Sequence, residues 1–262
     1  MLGLLSATTR DIGSRAAIVF SLAIGLIYAL VLFGPDAAVG IGPFWNLPRS
    51  WSQEIDIKVA LSGYYWFVLD DWRWPLLHIS QAGGASGSNA VFFDMVPPVG
   101  LIAKIARTLT GNTYNLLPIY ETGVFVLNAV ALAMLVRSMG QRSALATVLA
   151  AFFGATAPVI HHRSDHIVLM SHYVFIFALS AAVSPALRRR VNRGAAIVLC
   201  LCLLSVTLNL YLYVMTAAVA AAYFARAFLS GRLGAAPAVL CIAAIVAIGS
   251  TVAWIFGLAS EP

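Results

Sequence analysis

Hydrophobic positions in this chain cluster into long uninterrupted runs, separated by short polar stretches. The runs fall at 16–33, 117–136, 144–160, 167–186, 195–209, 211–229 and 236–257. Several approach the roughly 20 residues needed to cross ~30 Å of hydrocarbon as a helix. The pattern predicts an all-α, polytopic transmembrane helix bundle of about seven spans. The stretch 194–229 is too long for one span, and "LNLYLY" at its middle predicts a tight turn with tyrosines at the interface. The fifth and sixth spans are therefore expected to form a helical hairpin. The first run follows Arg10 and Arg15 and lacks a small-residue cleavage site after "VLFGPD", which favours an anchor helix over a cleaved signal peptide.

Composition agrees with the pattern. The 262 residues are 61% hydrophobic and only 10% charged, with mean hydropathy +0.90; soluble domains carry roughly 25% charged residues. The net charge of +6 then reads as a topology signal rather than a nucleic-acid footprint. Alternating the spans puts Arg10, Arg15, Arg137, Arg142, Arg188, Arg189, Arg190, Arg193, Arg226 and Arg232 in short cytoplasmic loops, with a cytoplasmic N-terminus at 1–15. Of the acids only Asp11 falls on that side, and all five histidines fall outside or at outer helix ends. Cys200, Cys202 and Cys241 lie in apolar runs at no metal or disulfide spacing.

The remaining polar chemistry concentrates in two places. The first outer loop, 34–116, holds Asp36, Glu54, Asp56, Asp70, Asp71 and Asp94, with Trp45, Trp51, Trp66, Trp72 and Trp74. Aromatics with carboxylates at a membrane surface suit a sugar or lipid-headgroup site; they equally suit a collar seated among headgroups. Within this loop, 96–109 is short and carries Lys104 and Arg107, so it is expected to be an interfacial or re-entrant helix. The second place is "HHRSDHIVLMSHYVF" at 161–175. His162 and His166 stand at a spacing that could hold zinc on a helix, but there is no His-Glu-x-x-His pattern, and Pro158 disfavours a regular helix there. A solvated turn and a phosphate-facing cluster are the other readings. His172, expected inside the fourth span, favours the phosphate reading, because ionisable groups at such depth are functional candidates.

"EIDIKVALSGYYWFVLDDWRWPL" resembles the first-loop signature of polytopic GT-C-type membrane glycosyltransferases, through Asp56, Gly63 and the "WRWPL" of 72–76. "VFFDMVPPVGLIAKI" resembles a second block through Asp94, Pro97 and Lys104, and "RSDHIVLMSHYVF" a third through Arg163, His166, Leu169 and His172. Asp165 departs from the pattern, in which a Gly is more usual. The resemblance covers about residues 50–220. It implies a single GT-C-like domain over 1–262, a bundle at 117–257, a bacterial inner membrane, and further spans beyond "WIFGLASEP", so that this chain would be an N-terminal part.

The same resemblance implies transfer of a sugar from a polyprenyl-phosphate donor to an extracytoplasmic glycan, lipid or protein acceptor. A positioned carboxylate can take the proton of the attacking hydroxyl, and Asp56 is the expected general base. Asp94 is expected to orient the acceptor or to share a divalent cation, Mg or Mn, with Asp56. Lys104, Arg163, His166 and His172 would face the phosphate whose charge grows as it leaves. Asn209, Tyr211 and Tyr213 could line the same cavity or act only as interfacial anchors. Two other classes stay open: a transporter or flippase of lipid-linked sugars, which would want helices broken in paired positions, and a non-catalytic assembly subunit docking through its outer loop.

Overall fold

A computed structural model describes residues 12–35, 55–84, 86–161 and 166–258, without the side chains of 55–57 and 161. The elements run in the order α1 (Ser14–Phe33), α2 (Ile55–Leu69), a short β1–β2 hairpin (His78–Ile79, Ser88–Asn89), a 3-10 turn (Ala90–Phe93) and α3 (Pro97–Thr110). There follow α4 (Leu117–Ser138), α5 (Ala144–Thr156), α6 (Tyr173–Val183), α7 (Val191–Leu208), α8 (Leu210–Leu229) and α9 (Ala235–Phe256). The two strands are antiparallel, pairing His78 with Asn89 and Ile79 with Ser88. Five helices, α1, α4, α7, α8 and α9, are long and apolar enough to cross a membrane.

Helix α4 is central. It packs against α1, α5 and α6, while α7, α8 and α9 form the other side of the bundle. Where α4 meets α5 the contact is made of small side chains, Ala129 and Ala133 against Ala151 and Ala155. Small residues let backbones approach closely, the main route to affinity between helices in an apolar solvent. The approach is closest at two glycines. A methyl group on Gly154 would lie 2.5 Å from the carbonyl oxygen of Asn128, and one on Gly25 of α1 would lie 2.5 Å from the Cα of Val126.

The two middle apolar runs differ from plain spans. Helix α5 ends at Thr156 because Pro158 has no N–H and forces Ala157 out of the helical region, at φ −55°, ψ 126°. A single turn, Pro158–His161, follows. The run expected as one helix over 167–186 is divided into a 3-10 turn (Ile167–Met170), a break at Ser171–His172, α6, and a short turn at Pro185–Arg189. The break is stabilised from α4: Asn128 Nδ2 donates to the carbonyl of Met170 at 2.9 Å, and Tyr120 Oη meets Ser171 Oγ at 2.5 Å. Pro185 sets the second interruption by holding Ser184 in extended backbone, φ −63°, ψ 118°. Geometry follows from the lengths. The 22 residues of α4 rise about 33 Å, but the 13 of α5 and 11 of α6 rise only about 20 and 17 Å. The end of their connection at Met170–Ser171 is thus recessed beside α4, between the levels of Tyr120 and Asn128.

The hairpin expected at "LNLYLY" is present. Asn209 separates α7 from α8 and caps α8, its side chain accepting from the Tyr211 N–H at 2.7 Å. Arg10 lies outside the described residues; the other nine arginines assigned to short loops gather at one end of the bundle. Arg137 bridges α4 to the chain entering α1 through the carbonyl of Ile12 at 2.8 Å, and Arg232 reaches the carbonyl of Arg188 at 3.2 Å.

The segment between α1 and α4 forms a cap on the opposite end and shares the main core. Tyr64, Phe67, Leu77 and Ile79 are buried in one cluster with Phe125, Met170, Leu212 and Phe256. The cap is also tied to the end of α9: Asn89 Nδ2 donates to the carbonyl of Phe256 at 2.6 Å, the Leu76 N–H to Ile255 at 3.0 Å, and Trp74 stacks on Trp254. The segment holds two helices, α2 and α3, and α3 has an apolar face holding Val99 and Ala103.

Replacing Gly154 by Leu should force α4 and α5 apart and lower stability by about 1–3 kcal/mol or more. Thermal unfolding in detergent of G154L against an exposed substitution such as Phe153→Leu on the same helix is the check; equal midpoints would mean the close approach is not needed.

Candidate functional site

The cap presents its polar groups in two layers. The deeper layer is structural. Asp70, at the end of α2, is buried and accepts from the Ser80 N–H at 2.6 Å, the Ser80 hydroxyl at 2.8 Å and the Asp71 N–H at 2.9 Å. Burial by itself raises its pKa, but those hydrogen bonds and the Arg73 guanidinium at 3.7 Å outweigh it and hold the carboxyl below its ordinary value. Lys104 belongs to the same layer. It is 2% exposed, donates to the carbonyl of Asp71 at 3.1 Å, and lies over the rings of Phe67 and Trp72 at 4.2 and 5.1 Å. Burial pushes its pKa down, with the carboxylates of Asp70 and Asp71 partly restoring it. Arg107 caps α2 by donating to the carbonyls of Val68 and Leu69 at 3.1 and 3.0 Å. Lys104 therefore crosses α3 over α2 rather than facing the phosphate position the sequence suggested.

The outer layer contains the groups suited to chemistry. Asp94 ends the 3-10 turn in left-handed backbone, φ 51° and ψ 23°, alone among the described non-glycine residues in positive φ. Such a conformation costs on the order of 1 kcal/mol or more and tends to persist at sites where function needs it. Its Oδ2 meets His166 Nδ1 at 2.6 Å, across 72 residues of chain. The two side chains are 37% and 39% exposed, so the pair is open to a ligand while held on the recess between α5 and α6.

The position of Asp94 depends on α2. Its neighbour Phe93 packs edge-on against Trp66 at 5.5 Å and sits directly over Gly63, where a methyl group would come within 2.2 Å of the Phe93 Cβ. This is a physical reason for the glycine in the Asp–Gly step. Residue 56 stands seven positions before Gly63 on α2, two turns away along the same stripe. The Asp56 side chain, and Arg163, His162 and Asp165, lie outside the described residues.

The structure thus brings two of the expected site residues, Asp94 and His166, into contact. His172 falls at the break before α6 and not within a continuous helix, because Met170 and Ser171 are held by α4. Tyr213 donates to the carbonyl of Ile245 at 2.6 Å and so bonds α8 to α9. Glu121, buried in the first turn of α4, and Tyr120, half-buried against Ser171, were not singled out from sequence. Their signal was available: a carboxylate and a phenol within an apolar span. Among the described residues no three His, Cys, Asp or Glu side chains come together as a metal cage. Asp94 and His166 are two donors, and they are bonded to each other, whereas a hard cation takes six or more oxygens.

A family model described as a domain of unknown function, DUF6311, matches residues 22–262. The chain belongs to the DUF6311 family. No curated protein and no solved structure matches it. The DUF6311 match takes in α2, Asp94, His166 and the whole recess, so the cap and the bundle are parts of one family unit.

Two outcomes follow. Because Asp70 has a depressed pKa in the folded state, its contribution is fully present above the ordinary carboxylate value of about 4 and is lost as pH falls through its lower folded value. Acid titration of tryptophan fluorescence should show the cap loosening below pH ~4, and Asp70→Asn should loosen it already at neutral pH. Gly63→Leu should displace Phe93 and Asp94 and break the contact to His166, whereas Val59→Leu, on the exposed side of α2, should not; the His166 imidazole NMR signal reports which occurs.

Proposed function

We propose that this chain is a membrane-embedded transferase of the GT-C kind, which moves a sugar from a polyprenyl-phosphate donor to an acceptor hydroxyl at the capped end of the bundle. The observation that carries the reading is the Asp94–His166 pair, held by left-handed backbone at Asp94 and standing next in the chain to the Ile167–Met170 turn that is bonded to α4. In this reading the five long helices and the shorter pair at 144–160 and 167–183 make about seven spans. The arginine end faces the cytoplasm with the N-terminus, and the cap faces outward across a bacterial inner membrane.

The chemistry balances without a cofactor. The acceptor oxygen attacks the anomeric carbon and its proton passes to the Asp56 carboxylate. The bond from that carbon to the phosphate oxygen breaks, and polyprenyl phosphate leaves with the electron pair. Asp94 accepts from His166 Nδ1–H and orients the ring; in its protonated form His166 also carries Nε2–H, a charge-assisted donor to the leaving phosphate. Arg163, two residues past the Pro158–His161 turn in the sequence, would add a bidentate fork on the same oxygens.

A flippase of lipid-linked sugars is the second reading, and the interrupted helices favour it. Breaks at Ala157 and Ser171–His172 fall in adjacent helices at similar depth, the pattern of half-helices around a transported ligand.

Membranes carrying wild type, Asp56→Ala or His166→Ala are incubated with radiolabelled polyprenyl-phosphate sugars. The expected result is a loss of label transfer of about 10²-fold or more for each variant, with insertion unchanged. Equal transfer in all three removes the assignment. Movement of the labelled lipid across reconstituted vesicles with no transfer establishes the flippase instead.

A further inference from the structure

At the end of the bundle opposite the cap, Arg137, Arg142, Arg189, Arg190 and Arg193 line one cleft of about 1200 Å3. They come from two separate regions, the α4–α5 turn and the chain that leads from α6 into α7. Met134 and Ile197 line the same cleft. They stand three and four residues inside Arg137 and Arg193 on their helices, about one turn or 5 Å deeper. The mouth is therefore cationic and the floor apolar.

Among the described residues none of the five arginines is ion-paired with a carboxylate; the salt bridges there, Arg73 with Asp70 and Asp71 and His166 with Asp94, all lie at the capped end. Arg137 is engaged by the carbonyl of Ile12, but Arg142, Arg189, Arg190 and Arg193 are exposed. Convergence of like charges from separate elements is unfavourable unless an anion joins them. Residue type adds a second argument. A topology signal needs positive charge of either kind, yet every basic residue assigned to this end is arginine. Both lysines of the chain, Lys58 and Lys104, lie in the cap segment. Arginine differs from lysine in its planar fork, which binds phosphate oxygens two at a time.

We propose that this cleft is a binding site for the headgroup of an anionic phospholipid, of which a two-phosphate headgroup such as that of cardiolipin matches its two arginine sets. The phosphates bridge the Arg142 side to the Arg189–Arg193 side, and the glycerol and first acyl carbons rest toward Met134 and Ile197. A bound lipid thereby crosslinks the α4–α5 hairpin to α7, two parts of the bundle that no carboxylate joins at this end. The apolar floor is what selects a lipid over a soluble polyanion.

The test uses the purified full chain in phosphatidylcholine nanodiscs doped with cardiolipin, with retained lipid counted by native mass spectrometry. Wild type should retain cardiolipin in preference to phosphatidylcholine. The variant Arg189→Lys/Arg190→Lys/Arg193→Lys keeps every positive charge, so insertion is preserved, and its retention should fall about tenfold. Arg226→Lys, at the same end but outside this cleft, should retain cardiolipin like wild type. Should the triple variant aggregate, Arg142→Lys with Arg189→Lys makes the same comparison. Equal retention by the lysine variant, or equal retention of phosphatidylcholine by wild type, overturns the site. If inorganic pyrophosphate alone protects wild type from thermal unfolding as well as cardiolipin does, the ligand is a soluble anion and the lipid assignment falls.

Discussion

A backbone that stops being helical inside an apolar bundle must find new partners for its carbonyls and amides, since neither lipid nor aliphatic side chains can supply them. Here those partners come from α4. Asn128 takes the carbonyl of Met170 and Tyr120 takes the hydroxyl of Ser171, which lets the connection between α5 and α6 end well short of the bundle's full height. The recess exists because of these two polar side chains, and the small residues around Gly154 bring α5 close enough to use them. Both features sit on α4, so one helix sets the depth of the recess as well as the spacing of its neighbours.

The cap depends on that recess and is built to fit it. Its own helices are joined by polar groups as well as by the buried cluster around Tyr64 and Phe67: Lys104 and Arg107 hold α3 to the end of α2, and Asp70 gathers the following loop around its carboxylate. Asn89 and Leu76 then bond the assembly to the last turn of α9. With the cap held on both sides, the turn carrying Asp94 is over-determined, and it can keep a backbone conformation that a loose loop would relax. The contact to His166 follows from this arrangement: one partner is fixed by the cap and the other by the broken hairpin.

The two ends of the molecule manage charge differently. At the capped end Asp70 and Lys104 are bonded to backbone groups, and Asp94 and His166 to one another. Among the described residues at the arginine end, the guanidiniums of Arg137 and Arg232 reach carbonyls and a hydroxyl, and none reaches a carboxylate. The net charge of +6 is therefore concentrated at one pole, where it can act on the membrane surface or on what the membrane contains.

Hydropathy and length determined the helical character and rough limits of the apolar runs, because burial in hydrocarbon acts on whole runs of residues and leaves a strong linear trace. The hairpin at Asn209 and helix α3 were legible for similar local reasons, a turn signal in one case and a short apolar run with two cations in the other. The interruption at Pro158 was also partly visible. The break at Ser171–His172 was not, because it is made by Asn128 and Tyr120 from another helix, and no local signal in "LMSHY" records a partner more than 40 residues away. For the same reason Lys104 looked like a phosphate ligand: a lone cation in an apolar run carries no mark of the carbonyl and rings that enclose it. Asp94 and His166 could each be picked out by residue type, but their pairing arises from the docking of the cap onto the recess. Residue chemistry is written in the chain; which groups face each other is decided by packing, since that depends on distances the linear order does not contain.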